Sequence, residues 1–296
     1  MSSDLDVIAV TVTLNGLPWI EQCLESLRGT ETIVVDHGST DGTLELVRER
    51  FPGVRVIEQE NKGLGAGLNA GFRGGDARYY LAINSDAWVA PDAIERLVAA
   101  ADERPDVAVV SPRHSNPDGS LQRTVRGFPT LWRLATEYLF LRKLAPRSHA
   151  LNAFYAGGFR HDRSREVDWA MGSCFLVRRE ACDAVGLYDE DFFLFSEETD
   201  WFYRFHTAGW KIWFAADAEV VHVSGATHGG RMFAENLRGH LRWFTKHRSP
   251  REAERARRIL LAGTRLRGLA YRGERGRTYR EAARWLASGP ADALLR

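Results

Sequence analysis

Several stretches of this 296-residue chain gather polar side chains in spacings that serve chemistry. The apolar run Tyr79-Tyr80-Leu81-Ala82-Ile83 leads straight into Asn84-Ser85-Asp86. A carboxylate at the tip of a buried strand is costly unless it is paired or bound to a cation, and a diphosphate ligand needs a divalent ion to neutralise it. Asp86 is therefore the expected metal ligand. Oxygen ligation favours Mg2+ or Mn2+ over zinc, with one or two protein ligands beside phosphate oxygens. The run Phe192-Phe193-Leu194-Phe195-Ser196-Glu197-Glu198-Thr199-Asp200 sets three acids at a helix start. Compensation of the helix dipole, about 0.3–1 kcal/mol per charge, accounts for one or two of them and leaves at least one for other work.

Three further segments carry small polar residues and glycines. Thr11-Val12-Thr13-Leu14-Asn15 offers hydroxyls, an amide and free backbone to a base edge, or a turn in which Asn15 caps the next helix. In Val35-Asp36-His37-Gly38-Ser39-Thr40-Asp41-Gly42 a loop with a cap at Asp41 explains Ser39 to Gly42 and leaves Asp36 facing the crevice, an acceptor for a base or ribose. Asn61 to Gly71 is a glycine-rich turn opening a helix. It suits either a phosphate at a helix N-terminus or close helix packing. Its spacing also resembles a dinucleotide fingerprint, but that belongs after a first strand with an acid about 20 residues on.

These residues need strand ends to hold them. Short β-rich apolar runs alternating with helical patterns predict βαβ units and a parallel sheet buried on both faces. Strands are expected at Val7 to Thr13, Thr32 to Asp36, Val54 to Glu58, Tyr79 to Asn84 and Val107 to Ser111, and ligands collect at the carboxyl ends of such strands. The first helix is expected to open at Pro18 with Ile20, Leu24 and Leu27 inward, and others after Asp41 and Pro91. From Pro112 to about Glu166 the pattern weakens into an insertion, with a turn at Pro117-Asp118-Gly119 and a helical stretch from Leu131 to Leu144. A strand from Val167 to Arg178, a short helix to Val185 and a helix from near Ser196 to Ala208-Gly209 follow. Trp169, Met171 and Gly172 border the acceptor pocket on this reading, though core packing explains Trp169 equally.

The chain has apolar material for one large domain or a domain with an appendage, at 44% hydrophobic and 27% charged residues. Three cysteines, Cys23, Cys174 and Cys182, show no CxxC spacing, which argues against a disulfide framework or zinc knuckle and for a reducing compartment. The start MSSDLDVIAV is acidic where a secretory leader is basic, and no apolar run approaches the roughly 18 residues of a spanning helix. A cytoplasmic chain is expected. Between Arg238 and Arg280 stand fourteen Lys/Arg against three Glu, although the whole chain is only +1. Leu237, Leu241 and Phe244, and then Ile259, Leu260, Leu266 and Leu269, give this basic region two amphipathic stripes. It suits peripheral contact with an anionic inner membrane face, a solvated surface or a subunit contact; no motif for nucleic acid accompanies the charge.

VTLN, VVDHGSTDGT, NKGLGAGLNAGF, INSD, MGSCFLVRREA, DEDFFLFSEETDWFYRFHTAGW and VVHVSG occur in one order over Val7 to Gly230. Together they resemble the family-two glycosyltransferases of the GT-A fold, in their bacterial rhamnosyltransferase-like branch. The resemblance implies a doubly wound, mostly parallel α/β sheet with a basic helical C-terminal appendage. The catalytic domain would span 1–230, nucleotide-binding to about 111 and acceptor-binding beyond, with a helical region at 231–296. It further implies that Thr11, Thr13, Asn15 and Asp36 contact pyrimidine and ribose, that Gly63, Gly65 and Asn69 lie near the sugar-nucleotide, and that Asn84-Ser85-Asp86 is a shortened D-x-D motif. His222 matches the family's second metal ligand, with His228 a second candidate; a core histidine is the other reading.

An inverting transfer needs a general base within about 3 Å of the acceptor hydroxyl. The family motif E-D-x-D places that base at Glu198, where this chain has lengthened Asp by one methylene, with Glu197 and Asp200 supporting acceptor hydroxyls or Arg204. The implied reaction takes sugar from a dTDP- or UDP-linked donor, dTDP-rhamnose first, to a glycan or polyprenyl-linked acceptor. An NAD(P)-dependent oxidoreductase leaves Asp86 and the acids unexplained; a non-catalytic sugar-nucleotide-binding protein is the remaining alternative.

Overall fold

The computed structural model describes residues 6–223 and 232–295, which divide into two compact units. In chain order the elements are β1 (Val7–Thr13), α1 (Ile20–Ser26), β2 (Glu31–Asp36), α2 (Thr43–Arg50), β3 (Arg55–Glu58), α3 (Leu64–Arg73), β4 (Tyr79–Ile83), β5 (Ala87–Val89), α4 (Ala93–Asp102), β6 (Val107–Ser115), β7 (Leu121–Gln122), β8 (Val125–Arg126) and α5 (Leu131–Tyr138). There follow β9 (Arg165–Val167), β10 (Trp169–Ala170), β11 (Cys174–Arg178), α6 (Arg179–Val185), α7 (Glu197–Thr207), β12 (Lys211–His222), α8 (Phe233–His247), α9 (Pro250–Ala270) and α10 (Gly273–Ala287).

The first unit takes in the described residues of Met1–Val125, Arg160–Asp191 and Glu197–Ala226. Its sheet runs β3-β2-β1-β4-β11-β6-β12-β5, with β7 added to β6 and β9 to β12. The β1, β2, β3 and β4 pairings are parallel, as is β12 with β6, whereas β11 is antiparallel to both its neighbours. The expected doubly wound, mostly parallel sheet is present.

Alternation along β1 shows why helices cover both faces, since successive side chains of a strand point oppositely. Val7 and Ala9 join Ile20, Leu24 and Leu27 around α1, Val47 of α2 and Leu97 of α4 in one core. Val10 and Val12 meet α3 instead: a Cβ on Gly71 would lie 2.1 Å from Val10, and one on Gly67 within 2.9 Å of Val12. The glycine-rich segment is therefore a packing device at these two positions. Trp201 and Phe205 of α7 stack on this same α3 side with Phe72 and Phe175.

Differences from expectation are local. Helix α1 starts at Ile20, because the N–H groups of Trp19 and Ile20 both donate to the Gly16 carbonyl in a preceding turn. The strand expected over 167–178 is broken into β9, β10 and β11; Met171 N–H donates to the Thr124 carbonyl and the Ser173 carbonyl accepts from Asn84 N–H, which takes Met171 to Ser173 out of a regular ladder. The three cysteines are buried and free, and burial pushes the Cys23 and Cys182 thiols up to about 12.

The second unit contains Arg126–Phe159, Phe192–Ser196 and the described residues of Thr227–Arg296, so the middle insertion groups with the C-terminal helices rather than with residues 1–125. Arg267, only 9% exposed, explains this grouping. Its guanidinium donates to the Tyr138 and Glu137 carbonyls at the end of α5, where a helix favours a cation. Helix α5 stops at Tyr138 rather than near Leu144, with Phe140 at φ 63°. Helix α9 opens on a capping box: Glu252 N–H donates to Ser249 Oγ, the Ser249 hydroxyl donates to the Glu252 carboxylate, and Pro250 occupies the first turn. Its buried stripe is Ala253, Ala256, Leu260, Gly263 and Thr264, whereas Leu266 and Leu269 are 47% and 84% exposed, contrary to the expected apolar face.

Asn69, wholly buried on α3, holds the loop after α6. Its amide donates to the Tyr188 carbonyl at 3.0 Å and to Glu190 Oε1 at 2.8 Å, while its Oδ1 accepts from Tyr188 N–H at 2.9 Å. Asn69, expected beside the sugar-nucleotide, thus clamps helix α3 to the loop after α6. Asn69→Ala strands both backbone groups of Tyr188 and is expected to lower unfolding free energy by about 1–3 kcal/mol in denaturant titration; unchanged stability would contradict the clamp.

Candidate active site at the carboxyl ends of the strands

Parallel register sets Thr13 of β1 beside Asp36 of β2. Asp36 is wholly buried, and its carboxylate accepts from the N–H groups of Gly38 and Ser39, each at 2.8 Å, and from the Ser39 hydroxyl. It ties its own loop together, a local role that the sequence reading did not give it. Asn15, at φ 54°, joins this loop to β1: its N–H donates to Ser39 Oγ at 2.8 Å and its Oδ1 accepts from Thr40 N–H at 2.9 Å. Thr11 is wholly buried near the Cys23 thiol. The buried hydroxyls of Thr11 and Thr13 both lack a hydrogen-bond partner, an arrangement native proteins rarely leave without a ligand. Gly63 begins α3 at φ 104°, and Gly65 faces the Tyr188 side chain, whose Cβ is 3.1 Å from where a Cβ on the glycine would stand.

The turn Asn84-Ser85-Asp86 follows β4. Ala87 N–H donates to the Asn84 carbonyl, and β5 then pairs Ala87 with His222 of β12. That pairing brings Asp86 Oδ1 to 3.4 Å from His222 Nε2, with both residues under 9% exposed. Val223 N–H donates to the Asp86 carbonyl at 2.9 Å and locks the two chains together. His222 Nδ1 lies 3.0 Å from Gln122 Oε1, a contact absent from the sequence reading. Nothing in the composition of β7, two residues long, marks Gln122; only the Pro117-Asp118-Gly119 turn that returns the chain to β6 hints at it. His114 stands edge-on to His222, with ring centroids 6.4 Å apart, and burial pushes its imidazole down to about 3. His228 lies outside the described residues.

The acids open α7. Glu197 is 4% exposed and its Oε2 has no partner, whereas Glu198 is partly exposed and packs on Gly172, whose Cβ would lie 3.4 Å from that of Glu198. Asp200 is wholly buried and ion-paired at 3.0 Å with Arg204, which also donates to the carbonyls of Val185 and Leu187. Through Arg204 it braces a loop, the Arg204 alternative of the sequence reading. Trp169 is buried at 6% exposure, as core packing would have it. Phe195 and Ser196, directly before the acids, are non-glycine residues at φ 67° and 69°, a strained entry worth about 1–3 kcal/mol per residue of the kind that gathers at functional sites.

One ridge connects these parts. A Cβ on Gly16 would touch Thr13 Oγ1 and stand 3.5 Å from Ser85 Oγ, Asn84 N–H reaches the Ser173 carbonyl at 2.9 Å, and Gly172 lies under Glu198. The Ser173 hydroxyl, like that of Thr13, is buried without a partner. Among the described residues there is no cluster of three or more acids, imidazoles or thiols. Asp86 and His222 therefore fit a hard divalent ion that takes its other ligands from phosphate and water rather than from a protein cage.

Burial first, and then the charge of Glu198, hold the Glu197 carboxyl well above the usual carboxylate range. The native state thus binds this proton to higher pH than the unfolded chain does, so stability falls as pH rises from the ordinary carboxylate range toward the raised value. Glu197→Gln removes that penalty, about 1.4 kcal/mol per unit of elevation. Thermal melting is expected to show the variant more stable than wild type at pH 8, with the gap closing at pH 4; no gain at pH 8 would refute the assignment.

Residues 8–186 match the family model described as glycosyl transferase family 2. The chain is 33% identical to an N-acetylglucosaminyl-diphospho-decaprenol L-rhamnosyltransferase of Mycobacterium tuberculosis (strain ATCC 25618 / H37Rv), covering 81% of this chain and 82% of the relative. It is 30% identical to the succinoglycan biosynthesis protein ExoA of Rhizobium meliloti (strain 1021), over 76% and 67%. Among solved structures, the mannosyltransferase PcManGT of Pyrobaculum calidifontis with GDP-Man and Mn2+ superposes at TM-score 0.56 and 20% identity, over 98% of this chain and 78% of that one. GalNAc-T7 with UDP, GalNAc and Mn2+ gives TM-score 0.61 at 15% identity, over 97% of this chain and 57% of that one, so the chain spans little more than half its length. The structural likenesses concern the fold alone. The family match covers more than half of the chain, and the chain belongs to glycosyl transferase family 2: it is a glycosyltransferase of the GT-A fold.

Proposed function

We propose that this enzyme transfers L-rhamnose from dTDP-rhamnose, with inversion, to a hydroxyl of a polyprenyl-linked or cell-surface glycan intermediate. The observation that carries the mechanism is the placing of Asp86 with His222, and of Glu198, at the two ends of the Asn84–Ser173–Gly172 contact. The donor and acceptor classes rest on the mycobacterial relative, whose name specifies rhamnosyl transfer to a decaprenol-linked sugar.

In this reading the buried pair Asp86 and His222 hold Mg2+ or Mn2+, which when bound neutralises the diphosphate leaving group. Thr13, Asn15 and the Asp36 loop line the nucleoside end, and Ser85 with the Ser173 hydroxyl lies along the diphosphate. Glu198 takes the proton from the acceptor hydroxyl as its oxygen bonds to the anomeric carbon; the bond from that carbon to the diphosphate oxygen breaks on the opposite face, and nucleoside diphosphate leaves. Glu197, whose carboxyl burial and the charge of Glu198 push above the usual range, sits next to the base. Gly172 leaves the space that the longer Glu198 side chain fills.

The exposed side of α9 supports a seat on an anionic lipid surface near such an acceptor. Arg251, Arg255, Arg258 and Arg265 recur at helical spacing along it, and Leu266 and Leu269 stand out beside them. Basic side chains near anionic headgroups contribute about 1 kcal/mol each. No described helix is long and apolar enough to cross a membrane, so contact would be peripheral.

Two experiments test these readings. Glu198→Gln is expected to cut turnover at least about 100-fold, the usual weight of a general base, with donor affinity little changed in a binding titration; near-normal turnover would remove Glu198 from the role. Flotation with vesicles is expected to carry wild type with anionic but not neutral lipid, and a Leu266→Ser/Leu269→Ser variant less well. Equal recovery on both lipids would dismiss the membrane face.

A further inference from the structure

The turn at Pro117-Asp118-Gly119 and the short strand β7 have no part in the transfer chemistry, yet they lead by hydrogen bonds to the metal pair. Asp118 is an exposed carboxylate and can only accept when ionised; the Ser120 hydroxyl and N–H donate to it at 2.6 Å and 2.9 Å and hold its carboxyl below the usual range. With its proton so directed, Ser120 Oγ accepts from Asn116 Nδ2 at 2.7 Å. Asn116 Oδ1 then accepts from Gln122 Nε2 at 2.7 Å, and the same Nε2 donates to the His222 backbone carbonyl at 2.5 Å. Two acceptors around one amide nitrogen settle which end of Gln122 is which. Its Oε1 must face His222 Nδ1, 3.0 Å away, and Nδ1 must carry the proton. His222 Nε2 is thereby turned to Asp86 Oδ1 at 3.4 Å.

We propose that Gln122 is the positioning residue of the metal pair, fixing the ring and tautomer of His222 through a one-way chain of hydrogen bonds that begins at Asp118. The inference rests on the proposed role of Asp86 and His222 and deepens it. A ligating histidine is ordinarily oriented by a partner on its other nitrogen, and loss of that partner costs 10–100-fold in metal affinity as an order of magnitude. Here the partner is a neutral amide whose own direction is set three hydrogen bonds away. Burial of Gln122, His222 and His114, each under 10% exposed, keeps water from substituting for it.

The test is a double-mutant cycle read as Mn2+ affinity, by electron paramagnetic resonance of free Mn2+ in the presence of dTDP. Gln122→Met, unbranched and of similar size but with no acceptor, is expected to weaken Mn2+ binding about 10–100-fold, and to add nothing in a His222→Ala background. Additive losses, or unchanged affinity in folded Gln122→Met, would overturn the proposal. If Gln122→Met fails to melt cooperatively, the surface pair Asn116→Asp and Asn116→Ala decides instead. The carboxylate still accepts from Gln122 and is expected to bind Mn2+ nearly as wild type does, whereas alanine frees the amide to rotate and is expected to bind several-fold more weakly; equal affinity in the two variants would reject the relay. Wild-type Mn2+ affinity in His222→Ala alone would instead sink the metal pair itself, and the relay with it.

Discussion

A carboxylate and an imidazole nitrogen 3.4 Å apart, both almost closed to solvent, are the constraint around which the first unit is arranged. Burying an acid at the tip of an apolar strand is unfavourable unless a cation or a hydrogen-bond donor answers it. The turn of β5 back against the end of β12 pairs Ala87 with His222 and Val223 N–H with the Asp86 backbone carbonyl, which leaves the Asp86 carboxylate beside the bare Nε2 of His222, where a bound cation would answer both. The antiparallel β11 fills the gap between β4 and β6, and its entry, Gly172 and Ser173, carries the contact on to Glu198. Asp86, His222 and Glu198 are thus linked by backbone pairings as far as Ser173 and by the packing of Glu198 on Gly172.

Two devices support that linkage without touching a substrate. On one side of the sheet the glycines of α3 let the helix approach β1 closely enough for Asn69 to grip Tyr188, while Trp201 and Arg204 of α7 hold Gly186 and Leu187 of the same loop. On another side the hairpin after β6 brings Gln122 to His222. The acids at the head of α7 are sorted by these supports. Asp200 is ion-paired with Arg204, Glu197 is buried with its carboxyl pushed above the usual range, and Glu198 alone is partly exposed.

Much of this was legible in sequence. Alternating apolar runs located β1, β2, β3, β4 and the start of β6 within a few residues, because a strand buried on both faces leaves little choice of composition, whereas β12 was not among the expected strands. Asp86 was visible for the same reason, a charge where the pattern wants an apolar residue. What could not be read was the use to which a polar residue is put. Asp36, Asn69 and Asp200 each hold a loop or a neighbouring side chain, contacts that sequence did not show for Asp36 and Asn69, since a buried polar group paired to protein and one awaiting a substrate share the same letter. Gln122 was missed because its significance comes from a pairing 100 residues distant. The stripe on α9 was placed rightly at Leu260 but not at Leu266 and Leu269, as Ala253, Ala256 and Gly263 make up most of the closely packed face in the second unit.

The account stands on Asp86 and His222 jointly holding a cation that meets the diphosphate. Crystals of the enzyme soaked with MnCl2 and dTDP, with diffraction collected at the manganese edge, test this directly. The account predicts one strong anomalous peak bonded to an Asp86 oxygen and to His222 Nε2, and bridged to the dTDP phosphates. Phosphates bound with the manganese peak elsewhere, or with His222 turned away from it, would contradict it.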